Sequence, residues 1–280
     1  MKTVLSSGSK EVVIDTDGAF SVIGEKINPT GNKRISAALR EEDMDTIRDY
    51  ARRQVDAGAV VLDVNTGLRG VDEISMLPRV VQLVQETVDV PISIDTANPE
   101  ALEAALKVVQ GKALINSATG EEKSMEAVLP LAKEYGAAVI GLVMDDSGIP
   151  ETPEERLKVA ESIVKRAASH GIPAEDIVID PLVMAIATDS SAVQVTTKTI
   201  SLVHEKLGLN VNLGASNVSF GLPSRTLLNQ VFLPMAIFAG ATCAITDPMK
   251  LTGIARASDL MMGHDPFAAE FMQYCRSLES

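Results

Sequence analysis

Acids and amides recur where short apolar runs of this chain stop. The runs are Val60-Val61-Leu62-Asp63-Val64-Asn65, Pro91-Ile92-Ser93-Ile94-Asp95-Thr96, Ala113-Leu114-Ile115-Asn116-Ser117, Ile177-Val178-Ile179-Asp180-Pro181 and Val211-Asn212-Leu213-Gly214-Ala215-Ser216-Asn217. An earlier run, Ser21-Val22-Ile23-Gly24, leads into Glu25 and Asn28. Carboxylates only accept hydrogen bonds, whereas an asparagine amide both donates and accepts, so a convergent Asp/Asn/Asp set can read the edge of a planar heterocycle without a counter-ion. The competing chemistry is a magnesium ion held by Asp63, Asp95 and Asp180, to which the asparagines would bring no charge. A zinc centre is disfavoured. His170, His204 and His264 fall on helices or connections, and Cys243 and Cys275 are the only cysteines.

Each of these residues also has a plain structural reading. A strand-end acid taken alone is often a helix cap or a loop anchor. Asn217 could be a turn asparagine bonded to its own backbone. Asp63, Asn65, Glu25 and Asn28 could serve only to orient neighbours. Asp247, followed by Pro248, reads first as a helix entry. The functional reading rests on convergence, which the surrounding elements must supply.

Apolar runs of this length, separated by amphipathic stretches, are what parallel strands buried on both faces look like. Helices are expected near 42–57, 73–87, 99–110, 123–135, 153–169, 192–206 and 226–238, with further strands at 137–144 and 242–246. About eight strands at such intervals predict a (β/α)8 barrel, whose site lies at the carboxyl ends of the strands. A doubly wound sheet would need a Gly-rich phosphate turn after its first strand, and Gly24-Glu25-Lys26-Ile27-Asn28 is not one. Before Ser21, an Asp17-Gly18 turn after Val12-Val13-Ile14 predicts a short N-terminal β-hairpin over residues 1–20, suited to plugging the barrel floor.

At 280 residues, with no Pro/Gly/Ser-rich linker, a single domain over 1–280 is expected. The net charge of −13 argues against a nucleic-acid or anionic-membrane surface. Two scattered cysteines and no signal-like start point to a cytoplasmic protein.

A pterin ring has the kind of edge such a pocket reads. Its 2-amino group and N3–H suit Asp180, and its remaining ring nitrogens and carbonyl can be shared by Asp95 and Asn116. In this light the ordered strings Ile23-Gly24-Glu25-Lys26-Ile27-Asn28, Leu62-Asp63-Val64-Asn65, Ser93-Ile94-Asp95-Thr96, Ile115-Asn116-Ser117, Ile179-Asp180-Pro181-Leu182 and Gly214-Ala215-Ser216-Asn217-Val218-Ser219 are informative. Together the chain resembles the methyltetrahydrofolate:corrinoid protein methyltransferases. These are relatives of the folate domain of cobalamin-dependent methionine synthase and, more distantly, of dihydropteroate synthase.

The resemblance implies that Asp95, Asn116 and Asp180 hold the pterin of tetrahydrofolate or 5-methyltetrahydrofolate, and that Asn217 sits beside N5 as the main catalytic residue. It also implies that Gly214 and Ser216 line the ring, and that Arg225 lies in the loop after the seventh strand. It further implies a corrinoid (cobalamin) carried by a transient partner protein, and a homodimer. The loop Phe220-Gly221-Leu222-Pro223-Ser224 and the N-terminal extension depart from the family pattern. Two alternatives stay open: a dihydropteroate-synthase-like condensing enzyme, though no Lys-Ser-x-Arg segment follows the seventh strand, and a non-catalytic folate-binding module. A homocysteine enzyme is disfavoured because the chain lacks the cysteines of a thiol-activating zinc site.

Overall fold

The computed structural model describes residues 1–279. The chain begins with β1 (Lys2–Ser6) and β2 (Glu11–Asp15), an antiparallel hairpin. Next come β3 (Ser21–Ile27), α1 (Lys33–Glu41), α2 (Met44–Asp56), β4 (Val61–Val64), α3 (Glu73–Thr87), β5 (Ile92–Asp95), α4 (Pro99–Leu106), β6 (Leu114–Thr119) and α5 (Glu122–Tyr135). The remainder is β7 (Ala138–Leu142), α6 (Pro153–Ser169), β8 (Ile177–Asp180), α7 (Ala192–Leu207), α8 (Arg225–Phe238), β9 (Cys243–Thr246), α9 (Pro248–Met262) and α10 (Ala269–Glu279).

Local chemistry sets many of these boundaries. Thr152 and Glu155 form a reciprocal capping box at the start of α6, with Pro153 at the first helical position. Asn98 caps α4 through Glu100 N and Ala101 N, again with proline following. Helices α5 and α7 stop at Gly136 and Gly208, both in the left-handed conformation that terminates a helix.

The large sheet is parallel throughout, in the order β8-β7-β6-β5-β4-β3-β9. It curls, and its two edges are joined by the segment 210–214. On the β8 side Ile179 bonds that segment in both directions, donating from its N to Asn210 O at 2.9 Å and accepting at its O from Asn212 N at 2.8 Å. Cys243 N and Ile245 N donate to Val211 O and Leu213 O on the β9 side. The architecture is therefore the expected α/β barrel, with one stave irregular. That stave makes only isolated bridges, at Val211 and Gly214, where a seventh strand was predicted. The reason is a contact 31 residues away in sequence: the Thr242 hydroxyl accepts from Val211 N–H at 3.0 Å, occupying a donor that a regular ladder would use. After it the chain enters a 3-10 turn, Ala215–Ser219.

Two further expectations are corrected. The hairpin exists, but its reversal is at Ser7–Lys10, where Ser7 N donates to Lys10 O at 2.8 Å; Asp17-Gly18 lies instead in the link to β3. Helix α1 was not anticipated in the loop after β3; Asn32 caps it by accepting from Ile35 N.

The period of two along each strand divides its residues between two cores. Outward residues such as Leu62, Ile92, Ile94, Ile115, Val139 and Ile179 pack under the helices. Inward residues Ile23, Val61, Leu114, Ala138, Ile140, Val178 and Cys243 fill the barrel together with Leu5 and Ile14 of the hairpin. The hairpin thus plugs the barrel floor. Asn210 fastens it by donating to Thr3 Oγ1 and Ile14 O.

Candidate active site

The same alternation builds the site. Asp63, Asn116 and Asp180 each stand two residues beyond an inward core residue, Val61, Leu114 and Val178, so each points into the barrel one layer above the apolar plug. Above them opens a cleft of about 760 Å³. Its walls contain Glu25, Asn28, Asp63, Asp95, Asn116, Asp180, Gly214, Ser216, Asn217 and Arg225. Ten of the eleven residues singled out in the sequence therefore meet in one mouth. Asn65 does not line it; its side chain accepts from Gly67 N at 2.8 Å and hydrogen-bonds Asp95 from behind.

Asp180 accepts from Leu182 N at 2.9 Å and from Asn212 Nδ2 at 2.8 Å. Burial raises its pKa to about 6, against the pull of these donors and of Arg156. The turn after it is held under strain, with Leu182 at φ 61°. Buried Arg156 clamps that turn, donating to Pro181 O at 2.8 Å and Leu182 O at 3.0 Å.

Asp95 accepts from Asn28 Nδ2 at 3.2 Å. Burial raises it to about 6, while the Asn65 amide opposes the shift and the Glu73 charge adds to it. Asp63 lies deeper. Its Oδ1 accepts from Ser93 Oγ at 2.6 Å and Asn116 Nδ2 at 3.1 Å. Burial first, then the neighbouring Asp95 charge, push its carboxyl well above the ordinary range.

Asn217 differs from these. It is exposed in the 3-10 turn, and its side chain makes no hydrogen bond to any described residue. The turn-asparagine reading, which requires a bond to local backbone, does not describe it. A Cβ on Gly214 would lie 2.9 Å from Asn217 Nδ2, so glycine there lets the amide lie close over the backbone. Arg225 holds the turn by donating to Ser216 O at 2.7 Å and Ser219 Oγ at 3.1 Å, with its guanidinium 5.9 Å from the Phe220 ring centre.

Two contributors, Lys26 and Asn212, escaped the sequence reading, and a third, Asp247, was ranked there first as a helix entry. Lys26 bridges Glu25 at 3.1 Å and Asp247 at 3.0 Å. Burial works against its charge, but the two carboxylates outweigh it and raise its pKa. Asp247 does precede Pro248 at the entry of α9, yet its side chain makes no capping bond and faces the cleft instead. Asn212 is almost wholly buried and supports Asp180. The available signal was position: Asp247 ends a strand as the other acids do, and Asn212 is a polar residue inside an apolar run. Gly24 admits no side chain, since a Cβ would come within 2.6 Å of Gln54 Oε1, which accepts from Lys26 N.

The arrangement presents a layer of acceptors with an unengaged amide at its rim. Among the described residues no group of three or more His, Cys, Asp or Glu side chains is placed to hold a metal ion, and no helix is long and apolar enough to cross a membrane.

Comparison with known proteins agrees with this geometry. The family described as pterin binding enzyme matches residues 24–247. Methylcorrinoid:tetrahydrofolate methyltransferase of Eubacterium limosum is 32% identical over 260 residues, covering 91% of this chain and 96% of that protein. Among solved structures, dihydropteroate synthase of Yersinia pestis superposes with a TM-score of 0.70 at 17% identity, covering 93% of this chain and 99% of that one. The 7,8-dihydropteroate synthase of Vibrio fischeri ES114 gives 0.71 at 18%, covering 95% and 100%. At those identities the structures speak for the fold alone, while the sequence matches place the chain by descent: it belongs to the pterin-binding enzyme family.

Proposed function

We propose that this protein moves a methyl group between N5 of tetrahydrofolate and the cobalt of a corrinoid carried by a partner protein. The observation that carries the reading is the unengaged Asn217 amide at the rim of an acceptor-lined cleft. Asp180, Asp95 and Asn116 take the N–H groups of the pterin edge, which leaves N5 toward Asn217. The corrinoid is the second substrate, and its cobalt(I) is a nucleophile strong enough to need no activation by the protein.

What the protein must supply is help at N5. When the carbon–nitrogen bond breaks, its electron pair stays on N5 while a carbon–cobalt bond forms, and N5 must take a proton. An amide donor strengthens its hydrogen bond as that charge rearranges, and a comparable preorganised donor is worth roughly 3 kcal/mol elsewhere. In reverse, the N5 lone pair attacks the methyl group and the bonding pair returns to cobalt. The same residues serve either direction; the Eubacterium limosum relative is named for transfer from methylcorrinoid to tetrahydrofolate. The wide, open cleft suits a transient encounter with a corrinoid protein.

An exposed apolar ridge on α8, Leu227, Val231, Met235 and Phe238, supports a homodimer as part of this reading. The opposite face, Phe232, Leu233, Ala236 and Ile237, packs on the barrel. A cytoplasmic location completes it.

The reaction is followed by absorbance on mixing the protein with 5-methyltetrahydrofolate and cob(I)alamin. Methylcobalamin should form well above the protein-free rate. Folate binding without methyl transfer would instead identify a folate-binding module.

A further inference from the structure

Asn116 is not free to choose which end of its amide meets a ligand. Its Nδ2 donates at 3.1 Å to Asp63 Oδ1, and the same oxygen takes the Ser93 hydroxyl at 2.6 Å. An asparagine amide has one donor end and one acceptor end, so a nitrogen held below turns the oxygen toward the cleft. Asp63 itself is 1% exposed and lies beside the Asp95 carboxylate, whose charge adds to the effect of burial on it. Burial and the Asp95 charge push the Asp63 carboxyl well above the ordinary range, and its Oδ1 accepts from both Ser93 and Asn116. The layer that faces the ligand is therefore made of acceptors alone: Asp95, Asn116 Oδ1 and Asp180.

We propose that Asp63 is a positioning residue that makes the cleft select reduced pterins over fully oxidised ones, by fixing the Asn116 amide with its oxygen toward the ligand. The inference rests on the pterin reading above. Its chemistry is general. Reduction of the pyrazine half of a pterin places hydrogen on N8, turning a lone pair into an N–H donor. A layer of acceptors gains a hydrogen bond from that donor, and from the oxidised ring receives a lone pair opposed to an oxygen. Sites built to hydrogen-bond a group reject the analogue that lacks it, because a buried partner is left unpaired. Were Asn116 free to turn, its Nδ2 could serve the oxidised ring and the discrimination would fade.

The test is titration of wild type, Asp63→Asn and Asp63→Ala with 6-methyltetrahydropterin and 6-methylpterin, neither of which carries a folate tail. Wild type should favour the reduced ring by about tenfold or more, the scale of one buried hydrogen bond. Asparagine at 63 keeps an oxygen able to accept from Asn116 Nδ2 and Ser93 Oγ, so Asp63→Asn should keep the preference. Asp63→Ala should reduce it to about twofold or less. Asp63→Leu, which fills the buried site, decides the question if the alanine variant fails to fold. The inference is overturned if the alanine or leucine variant keeps the full preference, or if Asp63→Asn loses it alongside them. Wild type that binds both rings equally rejects this inference alone, whereas wild type that binds neither rejects the pterin reading as well.

Discussion

Ser216 donates its hydroxyl to Glu25 Oε2 at 2.9 Å, tying the turn that carries Asn217 to a strand 191 residues away in sequence. Glu25 is in turn held by Lys26, and Lys26 by Asp247, so the first and last barrel strands and the turn bearing Asn217 share one polar network. Its mechanical role is to fix where the Asn217 amide stands. Ser216→Ala should cost about 1 kcal/mol of stability, the scale of one hydrogen bond. If the loosened turn costs a similar amount in the transition state, kcat falls about fivefold. Steady-state kinetics check this, with the Michaelis constant for folate unchanged; a Ser216→Ala enzyme with wild-type kcat would contradict the positioning role.

The Asp180 carboxyl titrates near pH 6 in the folded protein against an ordinary value of 3.8. Between those values the native state keeps a proton that the unfolded chain has released. The contribution of Asp180 to stability therefore falls as pH rises through this window, by up to about 3 kcal/mol, and stays lost above it. Asp180→Asn removes the titration, so its stability relative to wild type should improve by about 1 to 3 kcal/mol between pH 4 and pH 7. The same variant should bind folate poorly, since one acceptor is replaced. Urea unfolding at the two pH values, with and without folate, measures both effects. A stability difference that does not move with pH would contradict the raised titration.

Leu5 is fully buried at the barrel floor, at the opposite end from the cleft. Leu5→Ala should lower unfolding stability by roughly 2 to 5 kcal/mol through the cavity it leaves. Its methyl-transfer rate at 25 °C should match wild type. Thermal unfolding beside the transfer assay separates the two roles, and loss of rate in a folded variant would show the hairpin to be coupled to the mouth.

The sequence was legible where local chemistry and burial agree. The α6 capping box and the proline and glycine stops mark helix ends that the structure reproduces, and the run Ile177 to Asp180, buried at every position, reads as an interior strand. Convergence of the strand-end acids follows from the two-residue period once a barrel is accepted. What could not be read depends on contacts distant in sequence. The seventh stave is irregular because the Thr242 hydroxyl takes the Val211 N–H, a bond no local pattern announces. The hairpin reversal was misplaced because Ser7-Gly8-Ser9-Lys10 and Asp17-Gly18 are both turn signals, and pairing of Leu5 and Ile14 against the barrel floor decides between them. Lys26 and Arg156 resemble surface cations in sequence. Their roles appear only when Asp247 and the strained carbonyls of 181 and 182 come within reach.

Asn217 is where the account is most exposed to test, because its side chain contributes no hydrogen bond to the fold and its removal should leave the barrel intact. Single-turnover transfer from 5-methyltetrahydrofolate to cob(I)alamin, compared between wild type and Asn217→Ala at saturating folate, isolates its part in the chemical step. The expected result is a loss of about a hundredfold, corresponding to roughly 3 kcal/mol, with melting temperature unchanged. A folded Asn217→Ala protein that transfers methyl groups at the wild-type rate would contradict it.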